Sequence, residues 1–213
     1  SKPSLIVQSM IGEFGVYLPN IIRTFTSICM GWAIACLIGI VMGALMANYT
    51  LLGTTLTPYI NFLCTLPVIT LVPMMYVFMG VGREVIVIAI VLQSFAIVIL
   101  NSSTGFMNVP VMRIELMTSL RATKRQIFSK CMFPSALNSV FTGMKLSAIF
   151  ATTTCVSAEV NGSNIGLGAL VISAKTYVKT DQMFGSILYI AIIGVFFYML
   201  ADALEAGFVK WKE

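Results

Sequence analysis

An all-α integral membrane protein of about five transmembrane helices is the fold class this sequence predicts, on three observations. Of its 213 residues, 58% are hydrophobic and only 10% charged, whereas a soluble domain carries roughly 25% charged residues. The mean hydropathy is +0.96. Apolar runs of about 20 residues, enough to cross a hydrocarbon core of about 30 Å, recur along the chain and leave little of it outside a bilayer. Residues 1–213 therefore read as a single transmembrane domain.

The first span falls at residues 21–49, which reach about 40 Å as a helix. Within it Ala35, Gly39, Gly43 and Ala47 recur every four residues and leave a groove of small side chains where another helix backbone can pack closely. Residues 48–58 are uncharged, contain Gly53 and several threonines, and read as a loop. The second span, residues 59–80, contains Pro67 and Pro73 and should be bent, because each proline withdraws a helical N–H. Arg83 and Glu84 mark a polar turn. The third span occupies residues 85–104, the fourth residues 135–160 and the fifth residues 184–208.

Between the third and fourth spans lies a different kind of segment. Residues 107–131 are polar and basic, yet Val111, Ile114, Leu116, Leu120, Ile127 and Phe128 recur at helical intervals, so this loop reads as amphipathic helix outside the hydrocarbon. Five of the chain's 13 cations, Arg113, Arg121, Lys124, Arg125 and Lys130, fall here. The positive-inside rule places such a loop in the cytoplasm. Counting crossings from it puts the tail with Lys210 and Lys212 in the cytoplasm and residues 1–20 outside. With no base-stacking aromatics among these cations, nucleic acid is not an expected partner.

Several chemistries are excluded. The five cysteines have no C-x-x-C spacing, and the chain contains no histidine to complete a zinc site; no metal is expected. No G-x-x-x-x-G-K-[ST] occurs to hold a nucleotide. Glu159, Asp181, Asp202 and Glu205 are widely spaced near span ends, so no catalytic residue is assigned and the chain does not read as an enzyme.

The basic loop carries a resemblance. Glu115-Leu-Met-Thr-Ser-Leu-Arg-Ala-Thr-Lys-Arg-Gln-Ile-Phe-Ser-Lys-Cys-Met-Phe-Pro134 resembles the EAA loop of ABC importer permeases. Glu115 and Pro134 match its ends and Ala122-Thr-Lys-Arg-Gln-Ile its middle. Leu116 and Met117 depart from its alanines, Arg121 from its glycine, and Cys131 and Phe133 from its Ile and Leu. The stretch Thr65-Leu-Pro-Val-Ile-Thr-Leu-Val-Pro with Phe78-Met-Gly-Val-Gly82, and the segments Val156-Ser-Ala-Glu-Val and Gly166-Leu-Gly-Ala-Leu, resemble the nitrate, sulfonate, taurine and bicarbonate branch of the same family.

The resemblance implies a type I importer permease in a bacterial inner membrane, with two copies forming the pathway. It also implies ABC ATPase subunits that bind ATP and Mg, an external binding protein that delivers a small polar or anionic solute, and a further span preceding the first. A stand-alone secondary transporter or channel is the alternative; it usually shows inverted repeats or intramembrane carboxylates. Glu115, Leu120, Arg121, Ala122, Lys124, Arg125 and Pro134 are implied to couple the chain to the ATPase. Glycine at position 121 would allow a positive φ that Arg disfavours. Either the turn keeps an ordinary conformation, or Arg121 contacts the partner instead.

Polar side chains inside the spans are candidates for lining the pathway: Thr65, Thr70, Gln93, Ser94, Thr152, Thr153 and Ser157. The competing reading is that they bond their own backbone or a neighbouring helix. Lys145 joins them as the only charged residue between Pro134 and Glu159. It either snorkels to the interface from a helix that protrudes into the cytoplasm, or faces the pathway.

Overall fold

The computed structural model describes residues 3–209, apart from the side chains of Ser4 and Thr50. The tail lysines Lys210 and Lys212, expected in the cytoplasm, lie outside the described residues. Ten α-helices and no strand are found among the described residues: α1 (Pro3–Gly12), α2 (Phe14–Asn48), α3 (Thr50–Thr65), α4 (Val68–Met79), α5 (Arg83–Met107), α6 (Val111–Ser119), α7 (Lys124–Ile127), α8 (Phe133–Val160), α9 (Leu167–Thr176) and α10 (Thr180–Phe208). A π-helical turn, Phe128–Met132, joins α7 to α8. Four continuous helices are long and apolar enough to cross a membrane: Phe14–Asn48, Arg83–Met107, Lys124–Val160 and Thr180–Phe208. The pair Leu51–Thr65 and Val68–Met79, bent by 88°, makes a fifth if counted as one broken span.

Two boundaries differ from the sequence reading. Helix α2 begins at Phe14 and runs through Pro19, its sixth residue, which leaves the Gly15 carbonyl without the usual donor four residues on. The segment expected as a loop at residues 48–58 is helical except at Tyr49. Its Gly53 serves close packing, because a Cβ there would stand 2.8 Å from the Met46 carbonyl of the preceding helix. The expected bend falls at the first of the two prolines. Leu66 is extended, with φ −65° and ψ 125°, the conformation favoured before a proline, and the chain turns sharply there. Pro73 is accommodated inside α4.

Helix α5 is the centre of the bundle, with α2 on one side and α8 on another. The α2 stripe of small residues meets it: a Cβ on Gly39 would lie 2.5 Å from Val98 Cβ, and one on Gly43 2.5 Å from Ser102 Cβ. Only glycine permits these approaches. The core joins Ile28 and Trp32 of α2, Ile86 and Ile90 of α5, Ala148 and Ala151 of α8 and Phe197 of α10. By contrast α10 is mostly uncovered, with Ile192, Val195 and Met199 each more than half exposed, the surface a helix offers to lipid or to another membrane chain.

Candidate functional site

The loop between the third and fourth spans is built from two helical pieces and a defined stop. Helix α6 starts at Val111, directly after Pro110. It buries no residue: Met112, Leu116 and Leu120 are 80%, 61% and 71% exposed. An amphipathic helix whose apolar side chains touch so little of their own protein is shaped for contact with something else. Arg113 tethers it to α8, its guanidinium donating to Ser135 Oγ at 3.3 Å.

Helix α6 ends in a paired-bond stop. The Ala122 N–H reaches the Met117 carbonyl at 3.0 Å and the Arg121 N–H the Thr118 carbonyl at 2.9 Å, a pattern that requires a left-handed residue between helix and exit. Arg121 supplies it, with φ +54°. Of the two expectations for Arg121, an ordinary turn conformation is not what forms; the hydrogen-bonded stop imposes the glycine-like turn despite the Cβ. Thr123 then starts α7 with a capping box, its N–H donating to Gln126 Oε1 at 2.8 Å and its hydroxyl accepting from the Gln126 N–H at 3.4 Å. From Lys124 the helix is continuous to Val160 through the π turn. That wide turn lies just ahead of Pro134, which has no N–H to offer the carbonyl four residues back. Phe128 of the turn stacks on Phe106 of α5, ring centroids 5.6 Å apart, and Cys131 of the same turn is buried. Glu115, Leu120, Arg121, Lys124 and Arg125 are exposed, whereas Ala122 and Pro134 are half-buried. All seven expected coupling residues therefore lie along α6, its stop and the base of the fourth span.

The pathway candidates do not converge on one place. Thr65 and Thr70 flank the α3–α4 break, each hydroxyl donating at 2.8 Å to a carbonyl of its own segment, Phe62 and Pro67 respectively. Gln93 is half-buried and Ser94 buried on α5, the latter donating to the Ser147 carbonyl of α8 at 3.4 Å. Thr152, Thr153 and Ser157 share a groove of about 520 Å³ between α8 and α10, with Gly194 and Tyr198 opposite. Thr152 and Thr153 also bond carbonyls one turn back.

Lys145 pairs with Asp202 and Glu205 of α10. These carboxylates stand three residues apart, hence on one helix face, six or fewer residues from the end of α10 at Phe208. The lysine thus sits near the same end of the bundle as the basic loop, and α8 extends past the last turn of α10, where Phe141 stacks on Phe208. Sequence reasoning treated Lys145 as a lone charge. The signal that pairs it was the i, i+3 spacing of Asp202 and Glu205.

A second cluster, at the opposite end, escaped the sequence reading. Glu159 is 1% exposed and accepts the Thr24 hydroxyl at 2.7 Å and the Gly168 N–H at 2.9 Å. Thr24 Oγ1 in turn accepts the Leu167 N–H at 2.9 Å, and Asn20 Oδ1 the Gly166 N–H at 2.8 Å. Three consecutive N–H groups that open α9 are thus satisfied by side chains of α2 and α8, the role a helix start needs filled. Gly166 has φ +139°, and a Cβ on it would meet the Glu159 carboxyl carbon at 2.3 Å. Tyr76 of α4 closes the cluster by donating to the Ala158 carbonyl at 3.0 Å.

Comparison with known proteins places this geometry in context. The family described as "Binding-protein-dependent transport system inner membrane component" matches residues 35–211. The chain is 28% identical over 192 residues to the taurine transport system permease protein TauC of Escherichia coli strain K12, covering 90% of this chain and 70% of that one. It is 25% identical over 213 residues to the formylaminopyrimidine transport permease protein ThiX of Halalkalibacterium halodurans, covering 100% and 85%. A chain of the inward-facing MetNI methionine ABC transporter shares the fold, with a TM-score of 0.79 at 16% identity over 92% of this chain and 98% of that one.

Proposed function

The chain belongs to the family of binding-protein-dependent transport system inner membrane components, the permease subunits of ABC importers, and from that premise we propose how it works. Two copies line the translocation pathway, and α6 of each seats in a soluble ATPase subunit that binds ATP and Mg²⁺. An external binding protein delivers the solute. That solute is small and polar or anionic, of the nitrate, sulfonate, taurine, bicarbonate or vitamin-precursor kind; the names of TauC and ThiX support this class. The basic loop and the tail face the cytoplasm, in accord with the positive-inside rule.

The observation that carries the coupling role is α6 itself, a helix with an uncovered apolar face, locked by its stop and capping box to a helix that continues across the membrane to Val160. A displacement of α6 by the ATPase therefore acts on the fourth span as a lever. Glu115, exposed on α6 and without an ion pair among the described residues, is placed to fix the orientation of the docked helix. The test is Glu115→Lys in the assembled transporter reconstituted in proteoliposomes. Solute uptake should fall at least tenfold while the ATPase still co-purifies; unchanged uptake defeats the assignment. Uptake by the chain alone, with no ATPase bound, would favour a stand-alone transporter.

A further inference from the structure

A groove of about 640 Å³ lies where the end of α2 meets the basic loop, within the range of roughly 300–1,000 Å³ typical of ligand sites. Its long wall is apolar. Val41 and Leu45 of α2, 50% and 39% exposed, continue the line of Ile34, Leu37 and Ile38 along the same helix, which are 42%, 69% and 39% exposed. Its floor is aromatic: Phe128 stacks on Phe106, and Phe133 lies 6.3 Å from both ring centroids. Its mouth is cationic, for Lys124 and Arg125 line it. Both are exposed, and neither has a carboxylate partner among the described residues, where the ion pairs found are those of Lys145.

These halves together narrow the occupant. A free phosphate would use the two cations and leave the apolar wall bare. An apolar helix would cover the wall and strand the cations. An amphiphile with an anionic head and acyl chains satisfies both, its head at Lys124 and Arg125 and a chain along Val41 and Leu45 into the hydrocarbon. Basic pockets between membrane helices at the cytoplasmic face suit anionic lipid headgroups, each cation adding to the attraction. We propose that this groove binds an anionic phospholipid of the cytoplasmic leaflet, joining the coupling loop to the α2 surface through the lipid. The proposal rests on the cytoplasmic placement of the basic loop.

The experiment uses the permease–ATPase complex purified in detergent, stripped of lipid and titrated with dioleoylphosphatidylglycerol or dioleoylphosphatidylcholine, with adducts on the permease counted by native mass spectrometry. The wild type should retain phosphatidylglycerol about tenfold or more over phosphatidylcholine. That preference should vanish in the double variant Lys124→Gln, Arg125→Gln. It should also weaken severalfold in Val41→Trp, which fills the groove and keeps the charges; an unchanged Tm and size-exclusion profile of the permease verify that each variant is folded. Equal retention of the two lipids overturns the proposal, as does a preference untouched by either variant. Loss in the charge variant with no effect of Val41→Trp also overturns it, leaving surface attraction only, and so does displacement of the lipid by millimolar inorganic phosphate, leaving a simple anion site. External labelling of a cysteine placed at position 124 would instead refute the orientation beneath it.

Discussion

Replacing Glu159 by Ala tests whether the cluster around Glu159 is held by hydrogen bonds or by charge. The substitution removes the acceptor for the Thr24 hydroxyl at 2.7 Å and for the Gly168 N–H at 2.9 Å, both in a site where Glu159 is 1% exposed. A buried donor left without its acceptor costs about 1–3 kcal/mol, so the pair amounts to roughly 2–6 kcal/mol. At about 2–4 °C per kcal/mol for a chain of this size, Tm should drop by about 4–24 °C. Glu159→Gln should cost far less: its amide oxygen can accept from Gly168 while its NH₂ donates to a spare lone pair on Thr24 Oγ1. The assay is thermal unfolding with a thiol-reactive fluorophore on a background in which Cys29, Cys36, Cys64 and Cys131 are replaced, so that the signal reports Cys155, 0% exposed and one turn from Glu159, as it becomes accessible. Hydrogen exchange should accelerate at residues 166–168 in the Ala variant only. A Gln variant as damaged as the Ala variant refutes the hydrogen-bond account in favour of charge, and an Ala variant within about 1 °C of wild type refutes the latch altogether.

Three further outcomes are expected. Lys145→Met leaves Glu205, whose side chain is 9% exposed, buried with a charge that has lost its lysine; Tm should fall by several degrees and recover in part when Glu205→Gln and Asp202→Asn are added. If transport also recovers in that triple variant, Lys145 has a structural rather than a solute-binding role. Arg121→Gly releases a left-handed non-glycine residue, worth about 1–2 kcal/mol, against a loss of about 0.5–1 kcal/mol for glycine's freedom in the unfolded chain; uptake should stay within twofold, and a collapse of uptake with the ATPase still bound would mean that the Arg121 side chain itself makes the contact. Gly39→Leu drives a side chain into Val98, where even a Cβ comes to 2.5 Å, and should abolish detergent-stable expression. Gly12→Leu, with nothing near its Cβ, serves as the control.

The class of fold and the basic amphipathic loop were legible in local sequence because both depend on local quantities. A membrane span is a run of apolar residues about 20 long, and the basic loop is a density of cations bounded by such runs. The small-residue stripe at Ala35, Gly39, Gly43 and Ala47 was likewise legible as packing, although not that α5 is what it packs on. Gly53 was read as a loop former because residue type cannot distinguish a glycine needed for backbone freedom from one needed for close approach. Pro67 rather than Pro73 breaks the second span, a choice set by the helices around each proline.

The two polar clusters depended wholly on tertiary structure. Lys145 and Glu205 are 60 positions apart along the chain, and Thr24 and Glu159 are separated by 135. In isolation each looks like a costly charge or an ordinary hydroxyl in an apolar helix. Burial penalises such groups only until a partner arrives, and the partner is supplied by which helices touch and in what rotation. Hydropathy therefore determined which segments enter the bilayer, and the helix contacts decided which polar side chains within them meet.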